Sequence, residues 1–510
     1  MGDVKLNRAV CVSVVSVLAV CLPACANALM PIQRSAAPAI TNDMASAAEA
    51  NNLSRVRELI TAEADPDAAL PDGMTALHWA VYHDNAKMVR VLIGAKANAE
   101  ARNRYNVTPL TLACRNGNTA IVVGLLKSGA DPNTTLKGGE TALMTAARTG
   151  KVGPVNALIA SAADVNRKER KGQTALMWAA AAGHVDVVKA LLKANAKRTT
   201  LKSGFTPMLF AARNGHADVV FELVNAGADI TAPMKPARTG GKNPRNGMTA
   251  LMLAVENGHF ELAIRLVDAG ADPNDQRSGY TPLHALTWVR KPNRGDGPDG
   301  DPAPRGSGKI NSLQFVRELV ARGADVNAQL KRGRSGRAVL SERGATPFLL
   351  AARTADVPLL KLLVELKADP HIRNADESTS LMAAAGLGTL ATLEVAGTEP
   401  EALAACRLIL ELGADVNAVD KNADTAMHGA AYKSFPAVVQ LLADRGADFK
   451  VWNKKNRYGW TPLLIAEGHR PGNYRPSFET TAAIHKLFRA NGVEPPPPTP
   501  RVKLKGYNKR

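Results

Sequence analysis

The chain has 510 residues, 45% of them hydrophobic and only 4% aromatic, and its formal net charge is +18. For a globular protein this length predicts several domains, so a single compact core is excluded. The positive excess favours solubility and attraction to anionic partners, but it carries no information about the fold. The paucity of aromatic residues is typical of thin layers packed with Ala, Leu and Val.

The chain begins with the pattern of a targeting signal. Lys5 and Arg8 form a charged head, residues 9–22 form an apolar run, and the small-x-small motif at 26–28 is a cleavage site. The apolar run is shorter than the roughly 20 residues that span a bilayer. We therefore expect a signal peptide over residues 1–28, cleavage near Ala28 and a periplasmic or secreted protein.

Two other interpretations of this beginning stay open. The segment could remain uncleaved as an anchoring helix. It could also be a lipoprotein signal ending at Cys25, although Pro23 fits that pattern poorly. After cleavage, residues 29–41 form a polar lead-in, and we expect no membrane span in the mature chain.

A threonine that can cap a helix by accepting a backbone N–H bond recurs along the chain. The first three spacings are 33 residues and the fourth is 32. Proline, which suits the first helical position, follows five of these threonines. The capping threonines are Thr75, Thr108, Thr141, Thr174, Thr206, Thr249, Thr281, Thr346, Thr379, Thr425 and Thr461.

Residues 249–274 show the most regular repeat. A short apolar helix follows Thr249, and Asn257 with Gly258 breaks it. The pattern predicts a second helix from Phe260 to about Asp268, with charged and apolar residues on opposite stripes. The predicted apolar stripe consists of Phe260, Ala263, Ile264 and Val267. Gly270 then ends the helix, because glycine enters the left-handed conformation without a Cβ penalty. Two such helices cannot bury their apolar faces alone, so neighbouring repeats must cover them.

The 33-residue period, the opening T-P-L-H-x-A and the closing G-A-D-x-N resemble the ankyrin repeat. The resemblance covers residues 42–493. It implies an all-α solenoid of about 12 helix-pair repeats, with short hairpins projecting between them and atypical repeats at both ends. Residues 42–66 are the degenerate first repeat, and the last one ends in a helix from about Phe478 to Ala490.

Four insertions interrupt the repeats, and all of them fall at turns, where an insertion disrupts least. They lie near residues 231–246, 290–309, 328–344 and 386–400. The Gly-, Pro- and Asp-rich insertion at 290–309 is expected to be flexible or disordered. Residues 494–510 form a proline-rich spacer and a basic tail.

Cleavage leaves two cysteines, Cys114 and Cys406. Seven layers of helix packing would place them roughly 70 Å apart, whereas a disulfide needs Cα atoms within about 7 Å. We expect no bridge between them and a buried position for both.

The sequence contains no motif for catalysis or for a cofactor. It lacks a phosphate-binding loop, a paired Cys-x-x-Cys and a Gly-x-Ser-x-Gly elbow. In the family, the imidazole of T-x-L-H bonds the capping threonine, which accounts for His78, His284 and His428. We therefore predict no metal, no cofactor and no enzymatic activity. The remote alternative is an enzyme whose site is built from the insertions.

Basic residues recur in the connecting hairpins and at the ends of the first helices, which in the family face one concave groove. This pattern predicts a basic groove that binds an acidic protein partner, with the chain as a monomer. An anionic polymer, either cell-wall polysaccharide or nucleic acid, is the alternative ligand, and simple solvation of exposed loops is the other explanation. The predicted partner-binding residues are Tyr82, Arg102, Arg104, Arg115, Arg148, Arg213, Trp288, Arg334, Arg337, Arg353, Tyr432 and Lys433.

Overall fold

The computed structural model describes residues 44–238, 246–292, 303–336, 339–389, 395–470 and 476–498. These residues form 25 α-helices, and three isolated β-bridges are the only β-structure within them. Twenty-four of the helices form 12 successive pairs, which confirms the predicted all-α array of about 12 helix-pair repeats. The predicted signal peptide, the lead-in and the basic tail after residue 498 lie outside the described residues.

The helix bounds follow the capping threonines closely. In chain order the helices are α1 Met44–Glu49, α2 Leu53–Thr61, α3 Ala76–Tyr82, α4 Ala86–Gly94, α5 Pro109–Asn116, α6 Thr119–Lys127, α7 Ala142–Thr149, α8 Val152–Ala160, α9 Ala175–Ala182, α10 Val185–Lys193, α11 Pro207–Arg213, α12 Ala217–Asn225, α13 Ala250–Glu256, α14 Phe260–Asp268, α15 Pro282–Arg290, α16 Ser312–Ala321, α17 Pro347–Arg353, α18 Val357–Glu365, α19 Ser380–Ala385, α20 Glu399–Glu411, α21 Ala426–Lys433, α22 Pro436–Asp444, α23 Phe449–Trp452, α24 Pro462–Ala466 and α25 Phe478–Ala490.

All eleven predicted threonines cap the first helix of a repeat. The backbone N–H of Met252, for example, donates to Thr249 Oγ1 at 3.3 Å. Where histidine occupies this third helical position, its ring adds two bonds. His284 Nδ1 lies 2.7 Å from Thr281 Oγ1, and Nε2 lies 3.0 Å from Ala345 O in the next repeat. These bonds confirm the predicted role of the T-x-L-H histidines.

The described residues group into two compact units. Unit 1 contains the described residues up to 179, together with 186–204 and 236–238. Unit 2 contains 180–185, 205–235 and the described residues from 246 onward. In both units the first helix of a repeat is largely buried, whereas the second helix buries only one face, as its amphipathic sequence requires.

Helix α14 shows how its repeat packs and where the predicted stripe needs correction. Its apolar face consists of Phe260, Leu262, Ala263, Ile264 and Leu266, all buried. Val267, predicted on this face, is only half-buried. The helix ends at Asp268, and Gly270 has φ 101°, which confirms the expected left-handed glycine.

The described end of the 290–309 insertion forms hydrogen bonds with the preceding repeat. Ser307 Oγ lies 2.8 Å from His259 Nδ1, and the N–H of Lys309 donates to Glu261 Oε2 at 3.0 Å. The predicted flexibility of 290–309 is therefore wrong for residues 303–309, which α13–α14 side chains hold in place. Residues 293–302 of that insertion lie outside the described residues.

The other insertions also have ordered ends. Met234 donates to Met248 O at 2.6 Å, and this bond closes the 231–246 connection outside its undescribed part, 239–245. The 328–344 insertion is closed where Leu330 donates to Ala345 O at 3.0 Å. In the 386–400 insertion, Leu387 and Ala396 are buried and α20 already begins at Glu399.

One helix of the described residues, α23, lies outside the 12 pairs. The sequence did not predict α23, where Asp448 caps a single turn and the ring of Phe449 packs against Trp452 at 5.0 Å. Cys114 and Cys406 are free and buried, as expected. Burial raises the pKa of the Cys406 thiol to about 12. No helix in the described part of the chain is both long and apolar enough to cross a membrane.

Candidate functional site

The predicted binding residues differ widely in exposure. Tyr82, Arg102, Arg104, Arg148 and Arg334 are exposed, Arg115, Arg213, Trp288 and Arg353 are half-buried, and Tyr432 and Lys433 are buried. Arg337 lies outside the described residues. Tyr82, Arg102, Arg104, Arg115 and Arg148 belong to unit 1, and the other described residues of the set belong to unit 2.

Two hairpins of unit 1 are built on an anchoring side chain. Asn103 Oδ1 accepts the backbone N–H of Tyr105 at 2.9 Å and of Val107 at 3.0 Å. The carboxylate of Glu169 accepts those of Lys171 and Gln173 at 2.8 and 2.9 Å in the same way. Acceptors at these positions fold the turn locally, because the side chain replaces a backbone partner.

Four consecutive hairpins each present one residue at a fixed place, four positions before the capping threonine. In unit 1 this position holds Arg104, Lys137, Arg170 and Lys202, and all four are exposed. We call these residues the cationic row. The backbone N–H of Arg104 donates to Asp72 O, and that of Arg170 to Gly138 O, both at 3.0 Å. Such bonds tie a turn to the one before it and fix the row in register.

The cationic row is unneutralised. Within the described residues none of its four side chains forms an ion pair. Glu169, which the sequence places among these cations, is buried and occupied by its own turn. Arg104 does pack against the exposed ring of Tyr105, 5.2 Å from its centroid.

Aromatic and cationic groups meet at the ends of the first helices of unit 1. Tyr82 packs edge-on against Trp79, with centroids 5.4 Å apart. The guanidinium of Arg148 lies 5.3 Å from the ring centroid of Trp178. Trp79 and Trp178 are half-buried.

In unit 2 the same hairpin position is neutralised or replaced in four of the five repeats where it is described. Arg277 lies 2.8 Å from the buried carboxylate of Asp275, and this bond raises the pKa of the arginine. Lys421 pairs with Glu377 at 3.4 Å. Glu342 and Ala375 occupy the position in two further repeats, which leaves Arg457 as an isolated exposed cation.

Other predicted residues of unit 2 have partners inside the protein. Arg353 lies 3.2 Å from Glu342, whose second oxygen accepts the backbone N–H of Arg334. Arg213 lies over the ring of Phe205, 5.3 Å from its centroid, and burial lowers the pKa of its guanidinium. Trp288 packs edge-on against Tyr280 at 4.8 Å.

Tyr432 and Lys433 must be removed from the predicted surface. The exposed fraction of Tyr432 is 0% and that of Lys433 is 4%. The ammonium of Lys433 donates to the carbonyl oxygens of Ala396 and Gly397, at 3.1 Å in the second case. The 386–400 insertion covers these two residues, which the repeat pattern alone places at an open helix end.

A buried acidic cluster lies beneath the same insertion. Ser378 Oγ donates to Asp420 Oδ2 at 2.9 Å, and Asn456 Nδ2 donates to Asp424 Oδ1 at 2.8 Å. Burial raises the pKa of Asp420, and raises that of Asp424 to about 7. No sequence pattern indicates this cluster, since Asp420 and Asp424 occupy ordinary turn positions.

The histidines remain repeat elements in the structure. Burial lowers the pKa values of His284 and His428 to about 4, so both rings are neutral at pH 7. Among the described residues, no three His, Cys, Asp or Glu side chains are grouped so that they could hold a metal ion.

The sequence predicts basic hairpins and names Arg104 of the row, but it does not point to the equivalence of the four cations. Counting back four residues from each capping threonine would have found them. Counting residues does not separate paired cations from unpaired ones. The acidic partners Asp275 and Glu377 lie at different sequence distances from Arg277 and Lys421.

The sequence of the chain is similar to known ankyrin repeats. Models of ankyrin repeats in three copies match residues 44–136, 143–234, 235–290 and 393–473, and a single-repeat model matches 343–375. The chain is 28% identical over 147 residues to "Ankyrin repeat and SOCS box protein 6" of Homo sapiens, and 30% identical over 147 residues to the protein of that name from Pongo abelii. Each alignment covers 27% of this chain and 32% of the relative, so the chain spans about a third of the length of these curated relatives.

Proposed function

The chain belongs to the ankyrin-repeat family, and from this membership we propose that it is a non-enzymatic scaffold that binds an acidic protein partner. Ankyrin repeats typically serve as binding scaffolds, which supports protein recognition as the general role. The finer claim concerns the chemistry of the surface, which we propose to be basic and to face an acidic partner.

The observation that carries this claim is the unneutralised cationic row of unit 1. A rigid array that presents charges in fixed places loses little conformational entropy when it binds. Unpaired surface cations also raise the rate of encounter with an acidic partner. The half-buried Arg115 and the exposed Arg148 add positive charge to the same unit.

We further propose that the protein acts outside the cytoplasm. The support is the pattern of residues 1–28, with its charged head, apolar run and small-x-small motif. Mass spectrometry of the N-terminal peptide tests this proposal, because it identifies the first residue of the mature protein. A mature N-terminus near Leu29 is the expected result, and an intact Met1 in cell extracts would contradict it.

Affinity capture tests the scaffold role. The purified chain is immobilised and exposed to the extracytoplasmic fraction at 0.05 M and 0.5 M salt, with nuclease and glycosidase treatment as parallel arms. We expect a specific protein whose purified form binds the purified chain at a 1:1 ratio. Capture that disappears after nuclease or glycosidase treatment would overturn the protein-scaffold proposal in favour of an anionic polymer.

A further inference from the structure

We infer that the cationic row of unit 1 binds an acidic segment in polyproline II conformation, in which an acidic side chain recurs at every third residue. This inference rests on the proposed scaffold function and names the chemistry of the partner segment. It concerns Arg104, Lys137, Arg170 and Lys202, one side chain from each of four consecutive repeats.

The row offers charges that are free to bind. All four side chains are exposed, and within the described residues none forms an ion pair. Glu169, the acidic neighbour of Arg170 in the sequence, is buried and accepts the backbone N–H groups of its own turn. Binding a carboxylate at these positions therefore breaks no existing ion pair.

The spacing of the row sets the form of the ligand. Consecutive repeats stack at the distance of packed helices, roughly 10 Å, so four cations extend over about 30 Å. A β-strand rises about 3.3 Å per residue but alternates its side chains, so residues i and i+3 point to opposite faces. A polyproline II segment has three residues per turn and rises about 3.1 Å per residue. Every third side chain then lies on one face, about 9 Å from the last, which matches the row.

The row fits a peptide better than a nucleic acid. Single-stranded nucleic acids are held by aromatic side chains on which successive bases stack. In unit 1 the exposed large aromatic side chains among the described residues are Tyr82 and Tyr105. One cation for each layer of about 10 Å would also leave most phosphates unpaired, since each strand of a duplex carries one about every 3.4 Å.

Unit 2 does not offer a comparable row. Its first described residue in this position, Arg277, is held by Asp275, and two later repeats carry Glu342 and Ala375 there. The contact is therefore limited to unit 1, and it takes a segment of about 10 residues at 3.1 Å per residue.

A labelled peptide made of five Glu-Pro-Pro triplets tests the inference by fluorescence anisotropy with the full chain. The comparison peptide has the same composition with its five glutamates in one block. At 0.15 M salt the screening length of about 8 Å is close to the spacing of the row, so we expect at least tenfold tighter binding of the triplet peptide. At 0.01 M salt, where screening extends to about 30 Å, this preference should disappear.

Two variants with the same change in charge identify the binding residues. One carries Arg104→Glu, Lys137→Glu, Arg170→Glu and Lys202→Glu. The other reverses four exposed cations on the second helices of unit 1, Arg57→Glu, Arg90→Glu, Lys127→Glu and Lys193→Glu. At 0.15 M salt we expect the affinity of the row variant for the triplet peptide to fall by at least tenfold. The affinity of the second-helix variant should stay within about threefold of wild type. Circular dichroism checks that both variants fold.

The outcomes separate this inference from the scaffold proposal. Equal loss in both variants, equal binding of the two peptides at 0.15 M salt, or tighter binding of oligo(dT) than of the triplet peptide would each overturn the inference. A protein captured equally by wild type and the row variant would leave the scaffold proposal standing and refute the row as its site. Binding of the triplet peptide without any captured protein would refute the scaffold proposal alone.

Discussion

Units 1 and 2 share one repeat but use their positive charge differently. Four consecutive hairpins of unit 1 present Arg104, Lys137, Arg170 and Lys202 without an ion pair in the described part of the chain. In unit 2 several arginines and lysines form ion pairs with carboxylates. The pairs of unit 2 include Arg277–Asp275, Arg290–Asp356, Lys291–Glu401, Arg317–Glu365 and Arg353–Glu342.

The difference shows that net charge does not measure the charge available for binding. A formal excess of +18 describes the whole chain, whereas a partner meets only the cations that the fold leaves exposed and unpaired. In unit 2 paired cations such as Arg277 and Arg353 hold turns through carboxylates, whereas the four cations of the row in unit 1 remain exposed and form no ion pair within the described residues. The two native thiols make this comparison measurable, since Cys114 lies in unit 1 and Cys406 in unit 2.

The largest expected effect comes from the buried ion pair of unit 2. Arg290 Nε lies 2.7 Å from Asp356 Oδ2, and the side chains are only 15% and 1% exposed. Asp356→Ala leaves the arginine buried without its partner and removes the cap of α18, so we expect unit 2 to lose about 3–5 kcal/mol. Thiol labelling under denaturant, resolved by peptide mass spectrometry, should show earlier exposure of Cys406 and unchanged exposure of Cys114.

Asp268→Ala serves as the control, because its pair with Arg322 is largely exposed, with side chains 53% and 29% accessible. We expect a loss below about 1 kcal/mol. Equal effects of the two variants would contradict the view that burial distinguishes these pairs.

The second effect tests the buried acids of unit 2. Because the pKa of Asp424 is raised to about 7, its protonated form is favoured in the folded state. Its contribution to stability is present below the ordinary pKa of about 3.8 and is lost as pH rises through 7. Asp424→Asn keeps the neutral form at every pH, so we expect it to stabilise unit 2 at pH 8.5 by on the order of 2 kcal/mol.

Denaturation at pH 6.5 and 8.5, followed through Cys406, checks this expectation. The wild-type unit 2 should be less stable at pH 8.5, and the variant should lose that difference. A variant that is destabilised equally at both pH values would show that the carboxylate form is the one the fold requires.

A smaller effect on stability, with the opposite dependence on pH, comes from the buried histidines. Burial lowers the pKa of His284 to about 4, so its contribution to stability is present above the ordinary value of 6.5 and is lost as pH falls toward 4. The chain itself carries methionine at this place in other repeats, for example Met144 after Thr141. We expect His284→Met to cost on the order of 1 kcal/mol at pH 7 through the lost bonds to Thr281 and Ala345.

The variant should also reduce the loss of unit 2 stability between pH 6.5 and pH 4.5. Urea denaturation at the two pH values measures this change through Cys406. His78→Met is the matched substitution in unit 1, where burial also lowers the pKa of the histidine. An unchanged acid sensitivity in both variants would mean that other groups govern it.

The smallest effect is expected in the cationic row. Lys137→Ala removes an exposed side chain that has no ion pair within the described residues, so its stability should stay within about 0.5 kcal/mol of wild type. Labelling of Cys114 should be unchanged, while the affinity for the triplet peptide falls. A clear destabilisation would mean that the row supports the fold rather than binding.

Much of the fold followed from the sequence because the repeat depends on local signals. Threonine caps such as Thr249, left-handed glycines such as Gly270 and amphipathic second helices act within a few residues of chain. The bounds of α25 agree with the prediction for this reason. The candidate site was less predictable, since Tyr432 and Arg148 occupy the same place in the repeat but only the first is covered.

The sequence by itself determined the helix-pair repeat, the capping of its helices and the abundance of cations in its hairpins. Only the tertiary structure decided which cations are available. Arg290 meets Asp356 across 66 residues and Lys433 meets Gly397 across 36, distances at which no local pattern connects the partners. Whether a charge is exposed, paired or buried depends on the insertions and neighbouring repeats that pack around it, because the desolvation and pairing of a charge are properties of its surroundings in space.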